Sequence, residues 1–160
     1  MPSRHRSRER AVQILYQLDM RKHPVFDSID AFYDSLHTGE LGDGAEEASG
    51  QTDVRPERDK FMEDLVTGTA ANLESLDALL RKHSAHWKLE RMPAVDRNIL
   101  RLAAFEMLYG GTPAPVAIDE ALELARRFSG DESVGFINGV LDGLRKNAPP
   151  AKTAPPEDVP

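Results

Sequence analysis

The sequence predicts an all-α domain, and three observations carry that prediction. Apolar residues recur at helical spacing along nearly the whole chain, as in Phe61, Leu65, Val66, Leu73, Leu76, Leu79 and Leu80. Alternating β-branched runs of strand length are absent. Pro24, Pro56, Pro93 and Pro115 each stand at the head of a periodic segment or just past its end. With 160 residues, 40% hydrophobic and 29% charged, the chain has the size and composition of one globular domain with a real core. No apolar run approaches the roughly 18 residues of a membrane span, so no membrane partner is expected. The basic N-terminus lacks the apolar segment of a secretory signal. Cysteine is absent, which excludes disulfides, cysteine nucleophiles and thiolate metal sites and fits a cytoplasmic protein.

The elements follow in order. A first helix is predicted over 3–21, stopping before Pro24, and a shorter one from Ser28, a good N-cap, to Leu36. The stretch 38–54 is rich in Gly and acid and poor in apolar residues, and reads as a mobile surface loop. Pro56 then opens a long apolar stripe to about His83, with Glu57 and Asp59 complementing the helix dipole and Gly68 expected to bend or break it. A short helical turn is expected around 87–90. Pro93 opens 94–109, closed by Gly110 and Gly111. Pro115 opens a helix to Phe128, and Ser129 with Glu132 has the spacing of a capping box for a last helix to Lys146. Residues 1–146 thus form the helical domain, and the Pro- and Ala-rich 147–160 reads as a disordered tail.

The first helix is unusual in its charge. The chain carries a formal net charge of −7, yet Arg4, Arg6, Arg8, Arg10, Arg21 and Lys22 face only Glu9 and Asp19 within the first 22 residues. Much of the excess acid sits in the loop, as Glu40, Asp43, Glu46, Glu47 and Asp53. Wrapped at about 100° per residue, Ala11, Ile14, Leu15 and Leu18 fall on one side of the helix, and Arg6, Arg10, Gln13, Gln17 and Arg21 on the other. Tyr16 lies at the border. Arginines, glutamines and one aromatic ring suit a phosphate backbone with unstacked bases; a solvated basic terminus is the plainer reading.

Elsewhere the chemistry is sparse. Gly135, Gly139 and Gly143 form one ridge of the last helix, read first as close packing on another helix and second as approach to a ligand. Asn138 and Phe136 lie beside it. His83 and His86 have helical metal-ligand spacing but no third ligand, so no metal or cofactor is expected. Glu106 is expected to pair with an arginine or to be exposed, and Asp96 with Arg97, like Glu123 with Arg127, to lie on solvated helix faces. No phosphate loop, nucleophile elbow or dinucleotide fingerprint is present, so a binding module is expected and not an enzyme.

Four segments together resemble one family. Arg8-Glu9-Arg10-Ala11-Val12-Gln13-Ile14-Leu15-Tyr16-Gln17 is similar to the first-helix signature of the bacterial transcription antitermination factor NusB. The run Pro93 to Met107 resembles its central helix, and Pro115 to Ala125 and Phe136 to Asp142 its last two. The resemblance covers about residues 3–145. It implies a helical fold of two subdomains, each built on a three-helix bundle. It also implies binding of boxA RNA in nascent ribosomal RNA transcripts, a small-subunit ribosomal protein partner (NusE), and a place in the RNA polymerase antitermination complex. Some members form homodimers. By the same resemblance, RNA would meet Arg4, Arg6, Arg8, Arg10, Gln13 and Tyr16 of the first helix and Glu132, Ser133, Phe136 and Asn138 of the last. The chain departs from the family pattern in its long acidic loop, its Pro/Ala tail, and Gly135, where a bulkier or basic residue is expected. The same module resembles the N-terminal domain of a ribosomal RNA cytosine-5 methyltransferase, an enzyme this cysteine-free chain is not expected to be. A scaffold that binds only proteins is the remaining alternative.

Overall fold

The computed structural model describes residues 2–38, 57–84 and 88–147. Among them are seven α-helices, one 3-10 turn and no strand: α1 (Arg4–Arg21), α2 (Val25–Thr38), α3 (Lys60–Ala71), α4 (Leu73–His83), the 3-10 turn Leu89–Arg91, α5 (Ala94–Leu108), α6 (Ala114–Phe128) and α7 (Asp131–Asn147). No described helix is long and apolar enough to cross a membrane. The expected loop (apart from Thr38, which ends α2), together with Pro56, His86, Trp87 and the tail beyond Asn147, lies outside the described residues.

Local chemistry accounts for the helix ends, including those that differ from expectation. Ser3 caps α1, its hydroxyl accepting from the Arg6 N–H at 3.1 Å, and Lys22 ends it in the left-handed region at φ 58°. The α2 helix begins at Val25, not Ser28, because the Pro24 carbonyl already accepts the Ser28 N–H at 3.1 Å. The stretch to His83, expected to bend or break at Gly68, is two helices. Asp59 caps α3, accepting the Met62 N–H at 3.0 Å. The break falls at Asn72, whose side-chain amide donates to the Gly68 carbonyl at 2.8 Å and so ends the helix from outside. Gly68 itself stays helical. Its role is packing: a β-carbon there would overlap the Phe105 ring of α5.

The α5 helix is the centre of the fold. It packs against α1, α3, α4, α6 and α7 and is buried on nearly every side. A helix surrounded this way must satisfy any polar side chain from its neighbours, and each of its four buried polar residues does so. Asp96 accepts the hydroxyls of Ser129 and Ser133, both at 2.6 Å. Ser129 is therefore engaged with α5 instead of capping α7 as expected. Asn98 donates to Asp19 at 3.0 Å, and Arg101 donates twice to Asp77 of α4, each at 2.8 Å. Glu106 receives Arg8 of α1 through two bonds of 2.8 and 2.7 Å, and the Thr112 hydroxyl at 2.8 Å. Asp96 and Arg97 are thus not a solvated pair; Arg97 holds Asp19 at 2.7 Å.

These contacts position α1. It runs antiparallel to α5, clasped near its start by Arg8–Glu106 and near its end by Asp19 against Arg97, Asn98 and Arg101. Burial of Asp19 favours its neutral form, but the donors from Arg97 and Asn98 outweigh burial and hold its pKa below the usual carboxylate value. A third anchor is Asp59, which accepts Ser7 at 2.8 Å and Arg10 at 3.3 Å while its N–H donates to Tyr33 at 2.6 Å. The Tyr33 hydroxyl, pushed up to about 12 by burial and by its bond to Glu63, stays protonated and donates. One apolar cluster, including Ile14, Met62, Leu80, Ile99, Leu124 and Leu141, runs through all of these layers.

Candidate nucleic-acid surface

The outward face of α1 carries most of the expected residues. Arg4 is exposed, its guanidinium 4.2 Å above the Phe61 ring. Arg6 is half-buried and lies 3.4 Å from Glu9. Arg10 is held by Asp59 and sits 5.8 Å over the Phe32 ring. Gln13 is half-buried and Tyr16 is 36% exposed. Both line a groove of about 670 Å³, shared with Gln17 and Arg21 of α1, Phe32 of α2 and Phe128 of α6. Fixed cations beside an open groove with a reachable aromatic ring are the parts that phosphate and base contacts need.

Arg8 is the exception. It is buried and spent on Glu106, so it belongs to the core and not to the surface. Burial opposes its charge, but the Glu106 hydrogen bonds outweigh that and raise its pKa. The signal was present in the sequence: Arg8 lies three and seven residues before Ala11 and Leu15, on the apolar meridian of α1, and Glu106 stands between Phe105 and Met107 near the end of the apolar central helix.

On α7 the expected residues divide. Glu132 and Asn138 are exposed. Ser133 is half-buried and donates to Asp96, and Phe136 is half-buried against the core. The glycine ridge does not pack on a helix as first read: a β-carbon at Gly135 or Gly139 would meet nothing within 4 Å, and one at Gly143 only His83 Nδ1 at 3.6 Å. Both α1 and α7 pack on α5. The α6 helix meets both as well, α7 by packing and α1 through its side chains.

Sequence reasoning missed those α6 contacts. Glu123 pairs with Arg126 at 3.1 Å, not with Arg127. Arg127 instead reaches across to Glu9 at 3.3 Å. His5 lies 2.9 Å from Glu120 and 3.2 Å from Glu9. The Glu120 hydrogen bond raises the pKa of His5 above 6.5 against the opposing effect of burial. No spacing rule links residues 9 and 127; only the packing of α6 against the central helix brings them together.

Comparison with known proteins agrees with this architecture. Residues 5–146 match the NusB family. The transcription antitermination protein NusB of Solibacter usitatus is 55% identical over 157 residues, spanning 95% of this chain and 98% of that protein. The chain belongs to the NusB family. The NusB of Koribacter versatilis is 43% identical over 145 residues, 90% of this chain and 89% of its own length. Among solved structures, T. maritima NusB superposes with a TM-score of 0.71 at 29% identity, covering 98% of this chain and 96% of that one. A crystal structure of antitermination factors NusB and NusE in complex with dsRNA has the same fold, with a TM-score of 0.69 at 22% identity over 89% of this chain and 96% of that one. In this NusB-family chain, the outer face of α1 is a helix surface held rigidly from behind by ion pairs.

Proposed function

We propose that this chain binds boxA-type RNA of nascent ribosomal RNA transcripts together with a NusE-type small-subunit ribosomal protein, and acts within the RNA polymerase antitermination complex. The observation that carries the reading is the outer face of α1. Arg6 stands at its start and Gln13 and Tyr16 further along, on a helix whose inner side is fixed by Arg8–Glu106 and Asp19–Arg97; Arg4, on the Arg8 side but exposed at the helix end over Phe61, adds a charge beside it. Arg4 and Arg6 supply phosphate contacts that give affinity, and Tyr16 a ring for a base, with Arg10 lending its charge from the Asp59 pair. Glu132, Phe136 and Asn138 would extend the contact onto α7. Met20 and Phe26, exposed and next in sequence to Arg21 and Asp27 of the groove lining, support a protein contact there, since such apolar side chains gain most from being covered.

The test is RNA binding by fluorescence anisotropy with the ribosomal protein present, comparing a boxA-type RNA with a scrambled one across a salt series. The boxA-type RNA should bind more tightly. Arg6→Ala should make the salt slope shallower by about 0.7. Tyr16→Ala should weaken binding by about 1–3 kcal/mol while leaving the melting temperature nearly unchanged. Equal binding of both RNAs, insensitive to Arg4, Arg6 and Tyr16, would favour a scaffold that binds proteins only.

A further inference from the structure

The Glu9 carboxylate lies at the meeting point of three basic side chains from two helices. Its oxygens are 3.2 Å from His5 Nε2, 3.4 Å from an Arg6 Nη1 and 3.3 Å from Arg127 Nε. The acid is beneath and the cations are above: the Glu9 side chain is 9% exposed, whereas Arg6, His5 and Arg127 are 35, 45 and 57% exposed. Glu120 supports the arrangement from α6, holding His5 at 2.9 Å and lying 3.7 Å from Arg8, whose charge Glu106 already takes. A guanidinium carries five N–H donors in a planar fork. Arg127 uses its Nε toward Glu9 and sits 5.3 Å over the Phe128 ring, with its side chain 57% exposed.

The position of Arg127 matters as much as its charge. The α6 helix packs on α7 and reaches α1 through its side chains, and Phe128, the next residue, lines the same groove as Gln13 and Tyr16. A strand that touches Arg6 and Tyr16 of α1 and then Glu132 or Asn138 of α7 has to cross the C-terminal end of α6. At that crossing Gly135 offers no side chain, and Arg127 is the exposed cation already joined to the α1 set.

We propose that Arg127 is a phosphate-contacting residue of the RNA surface, and that Glu9 is the positioning residue that holds it beside His5 and Arg6. The proposal rests on the RNA-binding reading above. The contact is to the backbone, so it raises affinity for every RNA alike and carries no base preference.

The experiment measures RNA affinity of the full chain with the ribosomal protein, against salt, for Arg127→Ala, Arg127→Lys and Arg6→Ala. Arg127→Ala should weaken boxA-type and scrambled RNA by the same factor, roughly fivefold near 0.1 M salt, and make the slope shallower by about 0.7. Arg127→Lys should keep the slope. Melting temperatures should stay within a degree or two, since Arg127 is itself exposed and, when it is removed, Glu9 keeps His5 and Arg6 as partners. Glu9→Gln (or Glu9→Asp, if the first does not fold) completes a double-mutant cycle, in which Arg127→Ala should cost less affinity than it does in the native background. Unchanged affinity and slope in Arg127→Ala, with Arg6→Ala still effective, overturns the assignment of Arg127 and leaves the α1 reading standing. If neither arginine matters, both fall. Strict additivity in the cycle overturns the role given to Glu9.

Discussion

Replacing Arg8 with alanine should unfold this protein far more readily than it weakens RNA binding. The side chain is 5% exposed and its partner Glu106 is 2% exposed. The two make a paired contact of 2.8 and 2.7 Å between α1 and the central helix. Without the guanidinium, Glu106 keeps one donor, the Thr112 hydroxyl at 2.8 Å, and an otherwise uncompensated charge. Breaking a buried pair from one side typically costs about 3–5 kcal/mol. For a domain of this size each kcal/mol shifts the melting temperature by about 2–4 °C, so a fall of roughly 6–20 °C is expected. Thermal and urea unfolding followed by circular dichroism would measure it. Arg8→Met combined with Glu106→Leu should recover most of the loss, because the desolvation cost of both charges goes with them. Arg6→Ala is the matched control and should melt near the native temperature. A single Arg8→Ala variant that melts like the native protein but no longer binds RNA would refute the placement of Arg8 in the core and return it to the RNA surface.

Two further predictions separate glycines and test a titration. Gly68→Ala should destabilise by about 1–3 kcal/mol because the new methyl overlaps the Phe105 ring, whereas Gly139→Ala should stabilise by about 0.5–1 kcal/mol because its site is open; urea midpoints of the two variants should move in opposite directions. His5 faces Glu120 and Glu9, with Arg6, Arg8 and Arg127 around those acids, and its pKa is raised in the folded state by the Glu120 bond. Its stabilising contribution is therefore full below pH 6.5 and lost as pH rises through the raised value. The melting-temperature gap between the native protein and His5→Gln should close with rising pH, and the His5 ring protons should titrate with a midpoint above 6.5 in NMR; a midpoint below that value would contradict the bridge.

The sequence made the helical order legible because apolar period and proline starts agree with one another along the chain, even where the caps expected at Ser28 and Ser129 did not form. What it hid follows from the central position of α5. A helix buried on all sides shows no polar face to read, so Asp96 and Arg97 looked solvated, and Glu106 left two readings open. Periodicity shows that a glycine lies on a ridge but not what stands opposite, so the close packing was sought at Gly139 and found at Gly68. At the candidate site, the α1 face could be drawn from a helical wheel, which also puts Arg8 on the apolar side; only the family resemblance places it at the RNA surface. The contribution of α6 could not be drawn, because Arg127 and Glu9 are neighbours only after both helices have docked.

The clasp between Arg8 and Glu106 also sets a clock. Its two residues are 98 positions apart, and the second clasp joins Asp19 to Arg97 and Asn98, 78 and 79 positions away. At about 5–20 residues per second, a ribosome needs about 5–20 s after making the arginine-rich segment before it makes the carboxylate that receives Arg8. Contacts between such distant residues also form slowly, because the intervening chain must close first. During synthesis the basic segment is therefore the first part made and among the last to be fixed in place. The surface proposed to meet RNA exists only once the middle of the chain has been made and folded around α5.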